Sequence, residues 1–536
     1  MKTPGASVDV GSAASRAPQH QDRLTTSENQ RIITANQYEG ACTPGDERGL
    51  VSAARRVTPG GRGPRTMATH DEQEAPLHLT IIGGGSAGCT AAMWAADHGA
   101  RVTLVNDGLP LGGNALHVGV FPARLFMRAA TLRHRAAHPG LPGPGSATLD
   151  VDLKALSTHV QDCIERAHTS LVAELRRRSG VELVDGRATL SLGAEEELRV
   201  EVGKRSWSSD RVLLTCGATS QPPRVEGIEE AETWSLRDLI ACSQLPPSLI
   251  FFGINDIGLT YAQAFARLGA QVTILHEEDR LLDADHSEAL ETRLIESLQA
   301  EGIEVVLGSK VTHLERRRAR TRALGTHRGA PTHWEAARVV VVDNRRPSTE
   351  GLGLEALGVR RDTRGFVHVD ESFCTAHSAI FAAGDVIGRG TRTHAATRDA
   401  VLAAQNAVMP SRTAGYTPTV PFVIHTDPPL AAVGWDEAQA RQAGFEARCL
   451  TLDLRDHPAG AFSEAPDGLI QLVVDGRSNQ LLGARLLAPG AANAIMELAV
   501  ALRSGLTLPE LAALLHPPAT LASAIAACAR QLNSGA

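Results

Sequence analysis

The stretch Leu77–Asp107, LHLTIIGGGSAGCTAAMWAADHGARVTLVND, decides the fold. An apolar run enters GGGSAG at Gly83 to Gly88, an alanine-rich helical segment follows, and RVTLV reads as a second strand. Strand, glycine turn, helix and strand in that order are the dinucleotide fingerprint in the context it requires. Gly83, Gly85 and Gly88 let the backbone approach a pyrophosphate seated on the N-terminus of the helix. The acidic residue expected to close the second strand and hold the adenosine ribose is Asn106, followed by Asp107. Asparagine still hydrogen-bonds a hydroxyl, more weakly than a carboxylate does.

The same arrangement returns in PSLIFFGINDIGLTYAQAFARLGAQVTILHEEDRLL, residues 247–282. Two such units in one chain are far more specific than one, and they predict an α/β protein with two Rossmann-like domains. In the second turn Gly253 and Gly258 stand at the outer glycine positions and Asn255 replaces the middle glycine, where a side chain crowds a pyrophosphate. The residue that would read the second nucleotide's ribose is His276 or Glu277, with Arg280 as the one nearby cation. A carboxylate at Glu277 suits a free 2′-hydroxyl and disfavours a 2′-phosphate.

Working outward, Leu111–Ala130 reads LGGNALHVGVFPARLFMRAA, RVLLTCGATSQPP spans 211–223, and VVVDNRRPSTEGLGLEALGV with IFAAGDVIG follows at 340–359 and 380–388. These segments resemble the class I flavoprotein disulfide reductases, closest in pattern to mercuric reductase and dihydrolipoamide dehydrogenase. The likeness runs from Leu77 to Arg530. It implies FAD in the first dinucleotide site and NAD(P)H in the second, with NADH favoured by Glu277. It also implies a C-terminal α+β dimerisation domain, and hence a homodimer. By that resemblance the FAD cradle is Gly83, Gly85, Gly88, Asn106, Gly113, Gly217 and Asp385. Gly253, Gly258 and Glu277 would hold NAD(P). The expected boundaries are a disordered extension over 1–76, FAD-binding segments over 77–222 and 343–416, an NAD(P)-binding domain over 223–342 and an interface domain over 417–536. Met67 is a second candidate start of translation. Asn344 stands where the family has glycine.

The family's working parts are where the chain departs from the pattern. The two cysteine positions beneath the flavin are Ala115 and Val120, and neither side chain forms a thiolate or a soft metal ligand. Arg124 replaces the lysine near flavin N5, and Thr260 replaces that lysine's glutamate partner. Arginine keeps the charge and loses the compact geometry; it either still favours a reduced flavin or pairs elsewhere. The C-terminal histidine–glutamate base falls on Pro518 and Ser523, with His516 at a neighbouring position. A base that would activate a thiol has no purpose without the thiol. The extension holds only Cys42, and the chain ends in RQLNSGA without a cysteine pair, which also disfavours mercury reduction.

Composition excludes other classes. With 43% hydrophobic and 21% charged residues and a net charge of −7, nothing argues for nucleic acid or an acidic membrane face. No apolar run is long enough to span a bilayer. Eight cysteines scattered without a close pair fit free thiols in a cytoplasm, and no metal site is expected. The expected function is a cytoplasmic FAD-dependent NAD(P)H oxidoreductase that passes electrons to a non-disulfide small molecule such as a quinone, a dye or oxygen. The alternatives are a flavoprotein-fold scaffold that has lost turnover and, third, a true dithiol/disulfide or mercuric reductase, with disulfide or dithiol reduction through a thiol elsewhere such as Cys89 or Cys216.

Overall fold

The computed structural model describes residues 75–140, 143–220, 223–282, 287–342, 345–389, 392–409, 420–462 and 467–534. The expected extension, apart from its last two residues, lies outside them, as do Cys42, Met67 and Asn344.

Five parallel strands form the first sheet, in the order Ile380–Ala382, Arg211–Leu214, His78–Ile82, Arg101–Asn106 and Val181–Asp185. His78–Ile82 is buried along its whole length, as a parallel strand covered on both faces must be. The chain leaves it through the first glycine turn into helix α1 (Ser86–Asp97), and after the second strand makes helices α2 (Gly113–His117), α3 (Val120–Ala137) and α4 (Leu153–Arg176). An antiparallel ribbon, Ala188–Leu192, Leu198–Val202 and Arg205–Ser208, sends Leu190, Leu198 and Val200 into the same core.

Helix α5 (Leu236–Ile240) leads into a second parallel sheet, ordered Glu304–Val306, Gln271–Leu275, Ser248–Phe252 and Arg338–Val341. Helix α6 (Asp256–Leu268) follows its glycine turn, and α7 (Glu288–Ala300) precedes the outer strand. The chain then returns through a short antiparallel pair, Arg345–Pro347 against Ala218–Ser220, which sets Arg345 opposite Ser220. It adds the last strand of the first sheet and ends that domain with α8 (Thr393–Val408).

The C-terminal region is a five-stranded antiparallel sheet in the order Phe422–Ile424, Leu430–Gly434, Leu481–Leu487, Leu469–Asp475, Ala447–Asp453. Its core is closed by helices Ala491–Arg503 and Leu521–Arg530. The architecture is therefore mixed α/β, with two parallel Rossmann-like sheets and a C-terminal α+β domain. Among the described residues no helix is long and apolar enough to cross a membrane.

Candidate flavin cradle and the second glycine turn

A cavity of about 440 Å³ opens at the carboxyl ends of the first sheet, the edge where open α/β sheets bind ligands. It brings together Gly83, Gly85, Asn106, Gly113, Gly217 and Asp385, together with Ala115 and Val120. Gly83 has φ +110°, and a Cβ there would lie 2.4 Å from the Thr215 carbonyl oxygen. Gly88 is also packed against backbone, since a Cβ would lie 1.9 Å from Gly83 O. Gly85 differs: it is the N-cap of α1, no side chain caps the helix, and a Cβ there would meet nothing within 4 Å. No side chain therefore occupies the N-terminus of this twelve-residue helix, the arrangement that leaves room for a phosphate. Gly113, at φ +59°, lets α2 start against Gly85, whose Cα is 2.7 Å from where its Cβ would be.

Asn106 lines the cavity with both ends of its amide engaged. Its Oδ1 accepts from Gly84 N at 3.1 Å and its Nδ2 donates to Leu109 O at 2.9 Å. The side chain shapes the glycine loop before it can touch any ribose, and Asp107 lies beside it on the lining. Asp385 sits in a short turn after Gly384, paired with Arg345, Nη1 to Oδ2 2.5 Å. Burial pushes its carboxyl above the ordinary carboxylate range, and Arg345 opposes that. Helix α8 begins at the same cavity, where Thr393 and Ala396 contribute to the wall, so its positive end faces inward. Open helix N-termini and a glycine wall fit an FAD.

Ala115, on α2, and Val120, at the start of α3, present only methyl groups to the cavity. The nearest sulfurs are poor nucleophiles. Cys216 lines the cavity and Cys89 donates to Gly84 O at 3.2 Å, and burial pushes their thiols up to about 12 and about 11. The turn between α2 and α3 is pinned from the second domain, Tyr261 donating to Val118 O at 3.2 Å. Arg124 is exposed on α3 and does not line the cavity. Its charge falls on His425, whose imidazole is held down at about 4 by burial first and Arg124 second. Thr260 turns its hydroxyl back to Asp256 O at 3.0 Å inside α6.

The second glycine turn reaches the cavity through Ile257. Gly253 has φ +72°, and a Cβ on Gly258 would lie 2.6 Å from Val342 Cγ1. Asn255 is the N-cap of α6, and its Oδ1 accepts from Ile257 N at 3.1 Å and Gly258 N at 2.9 Å. The donors that a dinucleotide pyrophosphate would use are already taken, so one fits this turn only with the Asn255 side chain displaced. Glu277 is exposed and paired with Lys310 at 3.2 Å. Arg280 turns away, bound to Glu291 at 2.6 Å.

At the C-terminal end His516 pairs with Glu497, Nε2 to Oε1 2.7 Å, and also meets Leu514 O at 3.0 Å. Ser523 closes the capping box of its helix with Thr520. Among the described residues no group of three histidine, cysteine or acidic side chains could hold a metal ion.

Sequence reasoning missed Arg345 and Lys310 as site residues. Arg345 stood within a quoted motif, and only the return strand carries it to Asp385; Lys310 reaches Glu277 through the strand Ser309–Arg317.

Residues 77–400 match the pyridine nucleotide-disulphide oxidoreductase family, and residues 420–528 match its dimerisation domain. The chain is 30% identical to a mercuric reductase of Shigella flexneri over 92% of its own length and 85% of the relative's. It is 31% identical to a dihydrolipoyl dehydrogenase of Thermus scotoductus, over 85% of this chain and 98% of that one. Among solved structures, LpdA of Mycobacterium tuberculosis superposes with a TM-score of 0.75 at 25% identity, covering 85% of this chain and 99% of that one. The flavoprotein disulfide reductase RclA of Escherichia coli, as its Cu(II) complex, superposes at 0.74 and 22% identity, covering 85% and 100%, which shows a shared fold.

Proposed function

Because the chain belongs to the pyridine nucleotide-disulphide oxidoreductases, a family of FAD-dependent enzymes that use NAD(P)H, we propose that it passes electrons to an acceptor other than a disulfide. A quinone, a dye or oxygen is the class of acceptor. The observation that carries this reading is the pair Ala115 and Val120 on the wall of the flavin cavity, with no low-pKa thiol beside them. FAD would supply the two-electron redox chemistry.

The chain's own residues would bind and orient. The open N-terminus of α1 at Gly85 would take the pyrophosphate, Asp385 with Arg345 would meet the ribityl side, and the N-terminus of α8 would favour negative charge at its edge of the ring. The small Ala115 side chain leaves the space in which a planar acceptor could approach. NADH is the proposed donor, on the carboxylate of Glu277. The dimerisation domain supports a homodimer, and the seven free cysteines among the described residues support a cytoplasmic location.

The test is an anaerobic acceptor screen with the purified protein, NADH and, in turn, menadione, ferricyanide, oxidised lipoamide and Hg(II). Turnover with the quinone or dye and none with lipoamide or mercury is the expected result. Turnover with lipoamide or mercury alone overturns the proposal. A second reading, a scaffold that keeps the fold without turnover, is favoured by the occupied donors at Asn255, and absence of turnover with every acceptor would establish it.

A further inference from the structure

We infer that Asn255 is an internal cap that competes with the pyrophosphate of a nicotinamide dinucleotide and thereby sets this chain's affinity for it. The inference rests on the reading of the chain as a pyridine-nucleotide oxidoreductase and concerns how that site is held closed.

The two glycine turns have the same strand–turn–helix geometry and opposite occupancy. At the first, the N-cap is Gly85, no side chain caps α1, and a Cβ added at Gly85 would meet nothing within 4 Å. At the second, the N-cap is Asn255, and one amide oxygen accepts from both Ile257 N and Gly258 N, at 3.1 and 2.9 Å. Those N–H groups, with the positive end of the thirteen-residue helix α6, are what a phosphate takes at such a turn. The amide is oriented by its other end, Nδ2 donating to Val342 O at 3.4 Å. The helix start cannot retreat to make room, because Gly258 is packed against Val342 Cγ1 and Ile254 Cδ1.

A dinucleotide therefore binds only by displacing Asn255 from its two donors. The adenosine end is open, since Glu277 and Lys310 are both exposed. The penalty falls on the pyrophosphate, and affinity is lowered without a change in which nucleotide is preferred. Asn255 itself has φ −148° and ψ 179°, extended backbone that any residue adopts, so replacements there carry no conformational strain.

The experiment uses the full-length protein and ADP-ribose, which carries the pyrophosphate and no hydride, with binding read by calorimetry for wild type, Asn255→Gly, Asn255→Ala and Asn255→Asp. Removing the cap should tighten ADP-ribose binding by roughly fivefold in the alanine variant and by about twofold in the glycine variant. Asn255→Asp, which caps the helix and repels the phosphates, should bind more weakly than wild type. Equal affinity in wild type, Asn255→Gly and Asn255→Ala overturns the inference, and so does tighter binding by Asn255→Asp. The glycine and alanine variants remove the cap independently, so poor folding of either leaves the other decisive. Flavin content is read separately from the visible spectrum. A colourless protein counts against the flavin reading, whereas unchanged ADP-ribose binding in a yellow one counts against the cap alone.

Discussion

Arg345 and Asp385 meet at 2.5 Å inside the flavin cavity, each with about a fifth of its side chain exposed. A carboxylate desolvated there would cost stability alone, and the guanidinium offsets that cost. Replacing Arg345 by methionine should destabilise the protein by about 1–3 kcal/mol and lower its FAD content. Asp385→Asn leaves the Arg345 guanidinium without its counter-charge but keeps an amide oxygen to accept from it, and should be milder in the urea midpoint. Equal midpoints for wild type and Arg345→Met would show that the pair is not a structural element.

Gly83 and Gly85 are predicted to fail differently. Gly83→Ala forces a Cβ to within 2.4 Å of the Thr215 carbonyl at φ +110°, and the fold itself should suffer. Gly85→Ala meets no atom within 4 Å and should fold normally, yet fill the space over α1. Thermal unfolding of the apoproteins and flavin occupancy distinguish the two. A Gly85→Ala protein that keeps full FAD content would move the pyrophosphate elsewhere.

Arg267 is the most heavily engaged buried cation among those described. It donates to both oxygens of Glu301 at 2.7 Å, to Asp427 Oδ2 at 2.7 Å and to Thr131 Oγ1 at 2.9 Å, tying α6 to α3, to the end of α7 and to the C-terminal region. Arg267→Met leaves two carboxylates without their common partner and should cost about 3–5 kcal/mol. Denaturant unfolding measures it, and a loss under 1 kcal/mol, roughly the value of an exposed pair, would contradict the buried-clamp account.

His425 gives the acid limb of stability a definite sign. Its folded pKa of about 4 lies below the ordinary imidazole value of 6.5, so folding favours the neutral ring. Its contribution is full above pH 6.5 and is lost as pH falls through that window toward 4. Removing the Arg124 charge should raise the folded pKa and flatten the loss, and His425→Phe should remove this component. Stability curves of the two variants that parallel wild type between those pH values would contradict the assignment.

Cys89 and Cys216 should not react with a thiol reagent in the native protein at neutral pH, because burial keeps both protonated. Cys89→Ser should leave the NADH–quinone rate unchanged. A large fall would favour reduction through a cysteine.

Both glycine turns and their strands were legible because the dinucleotide fingerprint is local: a strand, a tight turn and a helix within a few tens of residues. Gly83 and Gly85 come from that fingerprint, and Gly113, Gly217 and Asp385 from the family resemblance; the structure brings all five together on one cavity wall. Pairings across the fold were not legible. Arg345 reaches Asp385 through the return strand, and Lys310 reaches Glu277 from another sheet, so the cation near the ribose position was missed. Asn255 was read as bulk, although asparagine ahead of a helix is also a strong N-cap signal. Its hydrogen bonds, rather than its volume, close the second turn.

The central claim is that electrons leave the flavin without a cysteine relay, and an anaerobic dithionite titration of the FAD-loaded protein tests it most directly. Full bleaching after two electrons per FAD, with no long-wavelength thiolate–flavin band, is the predicted result. Uptake of four electrons per FAD, or the appearance of that band, would show a redox-active disulfide and contradict the account.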